Sequence, residues 1–282
     1  MNQRTTLNKT VGLFIAELGS VFADFLAQDS GNKSYGIQTT HGPKWLKVLN
    51  LQKTPLGDLQ TIVRFYNSLN HPSIPQNWQL VELVDGLVLM SDWVQGKVLS
   101  SPTINRQDPT STYQQFQRLP LAKRLQAFAT ILELFVEIEA QSIIVEDFYD
   151  GSILYDFATD IVYVCDLDHI HHGSYHLQRE RQFGSRRFMA PEEFCRGSLI
   201  DSRTNVFTLG ATGFVLLNNN KRDRQDWPLA ADLHQILQKA TAHEPADRFV
   251  NIATLYQAWQ TAVSPITLPT QNAQLPTPRH LP

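Results

Sequence analysis

The sequence has few cysteines, no long apolar run and no excess of one charge. Its two cysteines, Cys165 and Cys195, lack metal-ligand spacing and exclude a disulfide framework. No apolar run approaches the roughly 20 residues that a membrane helix needs. Because 24 basic and 27 acidic side chains give a net charge of -3, no global field attracts nucleic acid or anionic lipid. We therefore expect neither nucleic acid nor membrane as a partner.

The remaining composition is that of an ordinary globular protein. Apolar residues make up 42% of the chain and charged residues 18%, which excludes the disordered and fibrous classes. The first residues, MNQRTTLNKT, lack the apolar core of a signal peptide, so we expect a cytoplasmic location. A chain of 282 residues can form one large domain or two lobes that share a cleft.

Apolar periodicity predicts a small sheet in the first third of the chain. Positions 11, 14, 15 and 18 have helical spacing, and residues 21 to 26 either extend that helix or form a first strand. Glycines and a turn at 39 to 43 separate two predicted strands that lead to KWLKVLN at 44 to 50. A helical pattern covers 56 to 70, and residues 79 to 94 complete the sheet.

The rest of the chain is predominantly helical in pattern. A long apolar-periodic stretch from Leu119 to Ser142 contains Pro120 near its start, where proline suits the first turn of a helix. Further helical patterns follow Asn205. From Pro265 onward the prolines exclude regular structure, which predicts an extended or disordered tail.

Three motifs in the second half resemble those of protein kinases in kind and in order. QFGSRRFMAPEEF at 182 to 194 resembles the end of the activation segment, with its Ala-Pro-Glu on Ala190, Pro191 and Glu192. NVFTLG at 205 to 210 resembles the buried helix that follows, and EPADRF resembles the site of a late arginine, Arg248. The resemblance covers about residues 21 to 262.

This resemblance implies an α+β, bilobal protein kinase-like fold. A small N-terminal antiparallel sheet lobe should occupy residues 1–94 and a larger, mainly helical lobe residues 95–264, followed by a proline-rich tail at 265–282. The resemblance also implies a buried ion pair between Glu192 and Arg248.

The catalytic loop of the family lies over VEDFYDGSILYD at 145 to 156. The match puts Asp147 on the catalytic base and Ser152 on the metal-binding asparagine. A positioned base contributes about 10²-fold to 10⁴-fold in rate. The alternative is that Asp147 and Asp150 are turn residues after a helix.

The apolar strand IVYVCDLDH at 161 to 169 ends in acids and matches the family's metal motif. Asp166 falls on the aspartate that holds Mg²⁺, which prefers carboxylate oxygens together with nucleotide phosphates. Asp168 replaces the family's glycine, and it is either a second metal ligand or a solvated loop acid.

Lys47 matches the lysine of the third strand, whose ammonium neutralises the phosphates of ATP. By itself a lysine on a strand can equally be a solvated edge residue. The helix glutamate that pairs with this lysine in the family is absent, because the usual interval lands on Ile62. We expect another partner, with Asp58 or Gln60 as candidates.

The remaining nucleotide contacts are implied by position. Ser30 and Asn32 lie in a loop with fewer glycines than the phosphate loop of protein kinases, and it is more similar to the serine-bearing loop of aminoglycoside phosphotransferases. Trp45 either stacks on the base, as an aromatic does in those enzymes, or fills the pocket. Ser91 matches the gatekeeper, and Asp92 to Val94 match the hinge, whose contacts are made by main-chain atoms.

Several positions depart from the protein kinase pattern. Val145 and Glu146 replace the histidine and arginine of the catalytic loop, so activity should not need a phosphorylated activation loop. Asn205 replaces an aspartate but can still accept one hydrogen bond. Ser185 matches the threonine typical of Ser/Thr kinases, whereas Tyr149 replaces their lysine. Consecutive loop histidines from His169 are expected to be exposed rather than metal-binding.

Three functions remain open from the sequence. The first is ATP- and Mg²⁺-dependent phosphoryl transfer to Ser or Thr of a protein substrate. The second is a small-molecule phosphotransferase of the aminoglycoside type, favoured by Trp45, the Ser30 loop and Asp168. The third is a pseudokinase that binds nucleotide or a partner without turnover, favoured by Glu146, Ser152 and the missing helix glutamate.

Overall fold

The computed structural model describes residues 4–26, 31–50, 59–101 and 105–267. In chain order the strands are β1 (Arg4–Thr6), β2 (Ser20–Phe25), β3 (Lys33–Thr39), β4 (Gly42–Val48), β5 (Gln79–Leu83), β6 (Gly86–Asp92), β7 (Lys97–Val98), β8 (Ile143–Val145), β9 (Ile153–Asp156), β10 (Ile161–Val164), β11 (Ile170–His172), β12 (Tyr175–His176) and β13 (Leu199–Ile200). The helices are α1 (Val11–Leu18), α2 (Leu59–Ser68), α3 (Thr112–Gln117), α4 (Leu121–Ala140), α5 (Ser202–Asn218), α6 (Ala231–Ala240) and α7 (Ile252–Thr267). The longest helices follow a sheet-rich N-terminal part, as the sequence predicts.

The N-terminal part is a six-stranded sheet in the order β1-β5-β6-β4-β3-β2. All pairings are antiparallel except β1 with β5, which is parallel. Residues 20 to 25 form strand β2, so the strand alternative for this segment is confirmed. The last strand of the sheet ends at Asp92, close to the predicted lobe boundary at residue 94.

Helix α1 covers the face of this sheet that is turned away from α2. Its apolar residues Val11, Phe14, Ile15 and Leu18 pack on a cluster centred on Leu46 of β4. The helix begins after Thr10, whose hydroxyl accepts a hydrogen bond from the amide of Leu13 at 3.3 Å. The periodicity of the sequence predicted the helix, and its apolar stripe finds its partner on the sheet.

The C-terminal part is built around helix α4, which packs against α5 and α7. Phe128 of α4 meets Trp259 of α7 edge to face, with ring centroids 4.7 Å apart. Glu139 of α4 accepts hydrogen bonds from the amides of Ile252 at 3.0 Å and Ala253 at 3.2 Å, which satisfies the first turn of α7. Helix α5 is buried from Thr204 to Asn218.

Smaller groups of strands lie beside helix α4, which contacts β8 and β10. Strands β10, β9 and β7 form a three-stranded sheet, and β8 pairs with β11. The loops that follow β8 and β10 carry the predicted catalytic and metal-binding acids. Within the described residues no helix is long and apolar enough to cross a membrane.

The predicted start of the C-terminal tail needs correction. Helix α7 continues through Pro265 and ends at Thr267, whereas the sequence predicted no regular structure from residue 265 onward. A proline disturbs a helix mainly in the turn that precedes it. Helix α7 ends only two residues after Pro265, at Thr267. The rest of the predicted tail lies outside the described residues.

Candidate active-site cleft

Asp147 and Asp166 share an uncommon backbone conformation. Their φ angles are 56° and 58°, in the left-handed region that is costly for residues with a side chain. Aspartate tolerates this region better than most residues, and such strain concentrates at functional sites. Asp147 follows strand β8 and Asp166 follows strand β10, so each acid ends a buried strand with a tight change of direction.

Asp147 lies in a small pocket formed with the activation segment. Gly184, Ser185 and Met189 line the same pocket. A Cβ atom at Gly184 would lie 3.3 Å from Oδ1 of Asp147, and Gly184 has a φ of 134°, so glycine suits this position in both space and conformation. Burial raises the pKa of Asp147 to about 6, with nearby His169 opposing the shift and Asp166 adding to it.

Lys47 on β4 reaches two carboxylates at the end of β10. Its Nζ lies 2.7 Å from Oδ1 of Asp166 and 2.6 Å from Oδ2 of Asp168. Burial lowers the pKa of Lys47, but Asp168 and Asp166 outweigh it and raise the pKa overall. Neither ion pair involves Gln60 on helix α2, and Asp58, the other predicted partner, lies outside the described residues.

Asp168 is not the solvated loop acid that was one of the two roles predicted for it. Its side chain is 17% exposed, so it is not a solvated loop acid, and one of its oxygens is bound to Lys47. The other oxygen, Oδ1, accepts a hydrogen bond from the hydroxyl of Tyr66 at 3.3 Å. A role as second metal ligand stays a prediction.

Tyr66 links helix α2 to the same turn. Its hydroxyl accepts a hydrogen bond from the amide of Leu167 at 2.6 Å while it donates to Asp168. The ring of Tyr66 is stacked on Trp78, with centroids 3.9 Å apart and planes 10° apart. Trp45 of β4 meets Trp78 edge to face at 5.7 Å. No sequence pattern indicated a role for Tyr66 beyond its place on the apolar face of a helix.

The donors available to a magnesium ion are Asp166 and Ser152. The Asp166 side chain is 54% exposed to the cleft, and Lys47 lowers the pKa of its carboxyl group. Ser152 is buried, and its hydroxyl has no hydrogen-bond partner among the described residues. No group of three or more His, Cys, Asp or Glu side chains in the described ranges could hold an ion. These oxygens fit Mg²⁺, which takes one or two carboxylates and completes its shell with phosphates and water.

The side chains of the predicted gatekeeper, Ser91, and of the predicted hinge residue Asp92 both make hydrogen bonds within the protein. The Ser91 hydroxyl donates to the carbonyl of Asp92 at 3.2 Å. The Asp92 carboxylate binds Lys44 and accepts a hydrogen bond from Asn77 at 2.7 Å. Main-chain groups of Val94 take part in no hydrogen bond within the described part of the chain, so they are free to meet a base.

The predicted phosphate loop is described only in part. Ser30 lies outside the described residues. Asn32 is buried, and its side-chain oxygen accepts a hydrogen bond from the amide of Asn50 at 2.8 Å. That bond connects the segment before β3 with the segment after β4, so the amide group of Asn32 has a structural role. Its contact with phosphate stays a prediction.

Two aromatic residues cover the strand beside Trp45. Gly36 of β3 is paired with Trp45, and a Cβ atom at Gly36 would lie 2.7 Å from the ring of Phe22 and 2.9 Å from that of Trp93. Phe22 and Trp93 meet edge to face at 4.9 Å. Trp93 lies within the predicted hinge, whereas no sequence pattern indicated Phe22, because a bulge in β2 between Val21 and Ala23 changes the alternation there.

The activation segment is tied to the catalytic loop by uncharged and acidic groups. Glu146, which replaces the family's arginine, accepts a hydrogen bond from the hydroxyl of Tyr175. Gln182 donates to the same hydroxyl at 2.7 Å. Asn205 accepts from the amide of Val145 at 2.9 Å and donates to its carbonyl at 2.6 Å. The predicted acceptor bond of Asn205 is confirmed, and the donor bond is an addition.

A buried carboxylate also joins the docking segment to the catalytic loop. Asp150 is fully buried and binds the guanidinium groups of Arg187 and Arg106, each at 3.0 Å. The Ser185 hydroxyl, by contrast, makes no hydrogen bond among the described residues. Tyr149 packs against Phe188, with centroids 6.4 Å apart. Among the described residues, Asp150 and not the Ser185 hydroxyl therefore joins the segment around Arg187 to the segment that follows β8.

The predicted ion pair of Glu192 and Arg248 is confirmed. Nη1 of Arg248 lies 2.7 Å from Oε1 of Glu192, and Nη2 lies 2.8 Å from Oε2. The arginine side chain is fully buried, and it also donates to the carbonyls of Ala242, Arg203 and His243. A bidentate pair with its remaining donors satisfied holds the activation segment on the helical lobe.

Comparison with solved structures shows the protein kinase fold. The chain is similar to the crystal structure of the PknI kinase domain of Mycobacterium tuberculosis, with a TM-score of 0.59 and 18% identity. The similarity covers 86% of this chain and 95% of that domain. No protein-family model and no curated protein matches the sequence. The predicted α+β bilobal fold is thus confirmed by three-dimensional structure.

Proposed function

We propose that the protein transfers a phosphoryl group from ATP to a Ser or Thr hydroxyl of a protein substrate. The observation that carries this proposal is the convergence of Lys47 with Asp166 beside Asp147. A buried ammonium, an exposed carboxylate and a carboxyl with a raised pKa are the groups that phosphoryl transfer needs.

Each group has one role in this proposal. Lys47 neutralises charge on the phosphates of ATP. Asp166, with the unpartnered hydroxyl of Ser152, would hold Mg²⁺, which when bound offsets the charge on the phosphates. Asp147 accepts the proton of the acceptor hydroxyl, for which a pKa of about 6 is well suited at neutral pH.

The nucleotide base would lie between the sheet and the hinge. Free main-chain groups at Val94 supply hydrogen bonds, and Trp45 supplies an aromatic surface. Stacking on such a surface is worth about 1 to 3 kcal/mol per base. Phe22 and Trp93 cover the neighbouring Gly36, so they would contact the outer edge of the base.

The activation segment favours a protein acceptor over a small molecule. The segment is complete from Gln182 to Glu192, is anchored by Arg248, and forms one wall of the Asp147 pocket through Gly184 and Ser185. The small-molecule phosphotransferases to which the loop at Ser30 is similar lack an Ala-Pro-Glu segment of this kind.

A second candidate is a pseudokinase. The observation that favours it is the occupation of Asp166 by Lys47, which reduces the negative charge offered to a metal ion. If that pair is not displaced by nucleotide and metal, the protein binds without turnover.

One set of incubations separates these functions. Purified protein is incubated with labelled ATP and Mg²⁺, alone, with a generic protein substrate and with an aminoglycoside panel. We expect label on protein, lost in Asp147→Asn and Asp166→Ala. Asp160→Asn is the matched control, because Asp160 also has a positive φ, 60°, but lies in the β9–β10 turn. Label on the drugs would support the small-molecule enzyme, and no transfer would support the pseudokinase.

A further inference from the structure

Helix α2, which corresponds to the helix that supplies a partner for the strand lysine in protein kinases, has no carboxylate within its described residues, Leu59–Ser68. Position 62, where the family interval falls, is a buried isoleucine. Lys47 nevertheless has two carboxylate partners, and both come from the turn after β10. Asp166 is the exposed member of this pair of acids and Asp168 is the sheltered one, with 54% and 17% of their side chains exposed.

We propose that Asp168 and Tyr66 are positioning residues that together replace the missing helix glutamate. Asp168 binds the ammonium group of Lys47 from the side of the helical lobe. Tyr66 connects helix α2 by hydrogen bonds to the turn after β10, which carries Asp168. This inference rests on the proposed phosphoryl transfer for its effect on activity, but the contacts that it assigns are testable without turnover.

The hydroxyl of Tyr66 makes two hydrogen bonds in opposite senses. It accepts from the amide of Leu167 at 2.6 Å and donates to Asp168 at 3.3 Å, so its single proton and a lone pair are both used. Leu167 is fully buried, so an amide without this acceptor would be unsatisfied. The turn that carries Asp166 and Asp168 therefore has its geometry set by a side chain of helix α2.

Tyr66 is itself fixed by packing. Its side chain is 1% exposed and stacks on Trp78, whose indole donates to the carbonyl of Pro75 at 2.6 Å. An exposed ion pair between a helix and a strand can break when the helix moves. Moving helix α2 away would instead expose the buried aromatic ring of Tyr66 to water, which is unfavourable. We therefore infer that helix α2 stays docked, and that Lys47 is kept in place without a signal from the activation loop.

The first test measures hydrogen exchange at the amide of Leu167. In Tyr66→Phe we expect exchange at that amide to rise about tenfold or more, since its acceptor is removed. Tyr155→Phe is the matched control, because Tyr155 is also buried and donates to an aspartate, Asp160, at 3.0 Å. Equal protection at Leu167 in wild type and Tyr66→Phe would overturn the role of Tyr66.

The second test measures how fast an amine-reactive ester labels Lys47 without metal or nucleotide. Asp168→Asn removes one of the two carboxylates that hold Nζ of Lys47 in place, so the side chain leaves its buried position more often and labelling becomes faster, by about tenfold. Asp160→Asn should leave the rate unchanged. If Asp168 serves only as a metal ligand, labelling in the metal-free protein will not change, and the role of Asp168 is overturned.

Activity gives a third readout that depends on the proposed function. In Asp168→Asn we expect the KM for ATP to rise and kcat to fall together, at saturating Mg²⁺. Restoration of full kcat/KM by added Mg²⁺ would again indicate a metal ligand and contradict positioning. If wild type transfers no phosphate at all, the proposed function fails, while the exchange and labelling results still decide the roles of Tyr66 and Asp168.

Discussion

Asn205 binds both polar groups of Val145, accepting from its amide at 2.9 Å and donating to its carbonyl at 2.6 Å. Asn205 is 2% exposed, so neither bond is replaced by water. A carboxamide can accept and donate at once, whereas an ionised carboxylate can only accept. The asparagine that looks like a loss of charge in the sequence is thus matched to the backbone of Val145, at the start of the predicted catalytic loop.

Asn205→Asp should destabilise the fold, although it restores the residue that protein kinases have. A carboxylate would face the carbonyl of Val145 without a proton to donate, which costs about 1 to 3 kcal/mol for the unsatisfied group. Urea unfolding measures the change. Asn251→Asp is the control, because Asn251 uses its side-chain oxygen to accept from the amide of Thr254, as an aspartate can. Equal stability of both variants would contradict the two-bond arrangement.

Asp147→Asn should abolish transfer and raise thermal stability above pH 6. The pKa of Asp147 is raised from 3.8 to about 6, so folding opposes its ionisation, and stability is lost as pH rises through this window. A neutral asparagine avoids that loss and also tolerates a positive φ. Melting temperatures at pH 5 and pH 8 measure the effect, with the larger gain at pH 8.

Asp160→Asn should change stability in the opposite direction. Its hydrogen bond from Lys123 lowers the pKa of Asp160, so its carboxylate contributes stability that is present above the unfolded pKa and lost at lower pH. The variant should melt slightly lower than wild type at pH 8. A melting temperature that rises in both variants would show that asparagine stabilises these turns by a route other than charge.

The pH dependence of kcat/KM for the protein acceptor should show one ionisation near 6. Transfer requires Asp147 to be ionised, so log(kcat/KM) should rise with unit slope below about pH 6 and level off above it. Initial rates at saturating ATP and Mg²⁺ between pH 5 and pH 8 measure the profile. A profile that is flat down to pH 5 would exclude Asp147 as a base with a raised pKa.

Glu192→Ala should be among the most destabilising single changes in the helical lobe. It leaves the fully buried guanidinium of Arg248 without its carboxylate, which costs roughly 3 to 5 kcal/mol. Glu180→Ala is the control: Glu180 and Arg196 form an exposed pair at 3.7 Å, worth at most about 1 kcal/mol. Chemical denaturation compares the two, and similar losses would contradict the structural role of the buried pair.

The sequence predicts most where motifs follow one another in a fixed order along the chain. Asp147 and Asp166 are predicted as the catalytic and metal-binding acids because each follows an apolar strand at the place where its motif requires an acid. Glu192 and Arg248 were paired because their motifs occur in a fixed order. Helix α1 is predicted by a period of 3.6 residues, which local geometry imposes on any helix, whereas residues 21 to 26 stay open between helix and strand from the sequence.

The partners of Lys47 cannot be predicted from the order of motifs along the chain. The sequence pointed to a neighbour on helix α2, but the ion pairs join Lys47 to acids 119 and 121 residues away. The same is true of Tyr66, which bonds to Leu167 across 101 residues. No period along the chain encodes such contacts.

The sequence by itself determined which acids, which lysine and which helices this protein has, because residue type and local periodicity are properties of short segments. The tertiary structure alone decided that Asp168 and Tyr66 meet Lys47 and Leu167, and that Asn205 makes two hydrogen bonds. Those choices depend on how the sheet lies over the helical part and on which buried polar groups then find a partner, since a buried group left without one is costly wherever it falls in the chain.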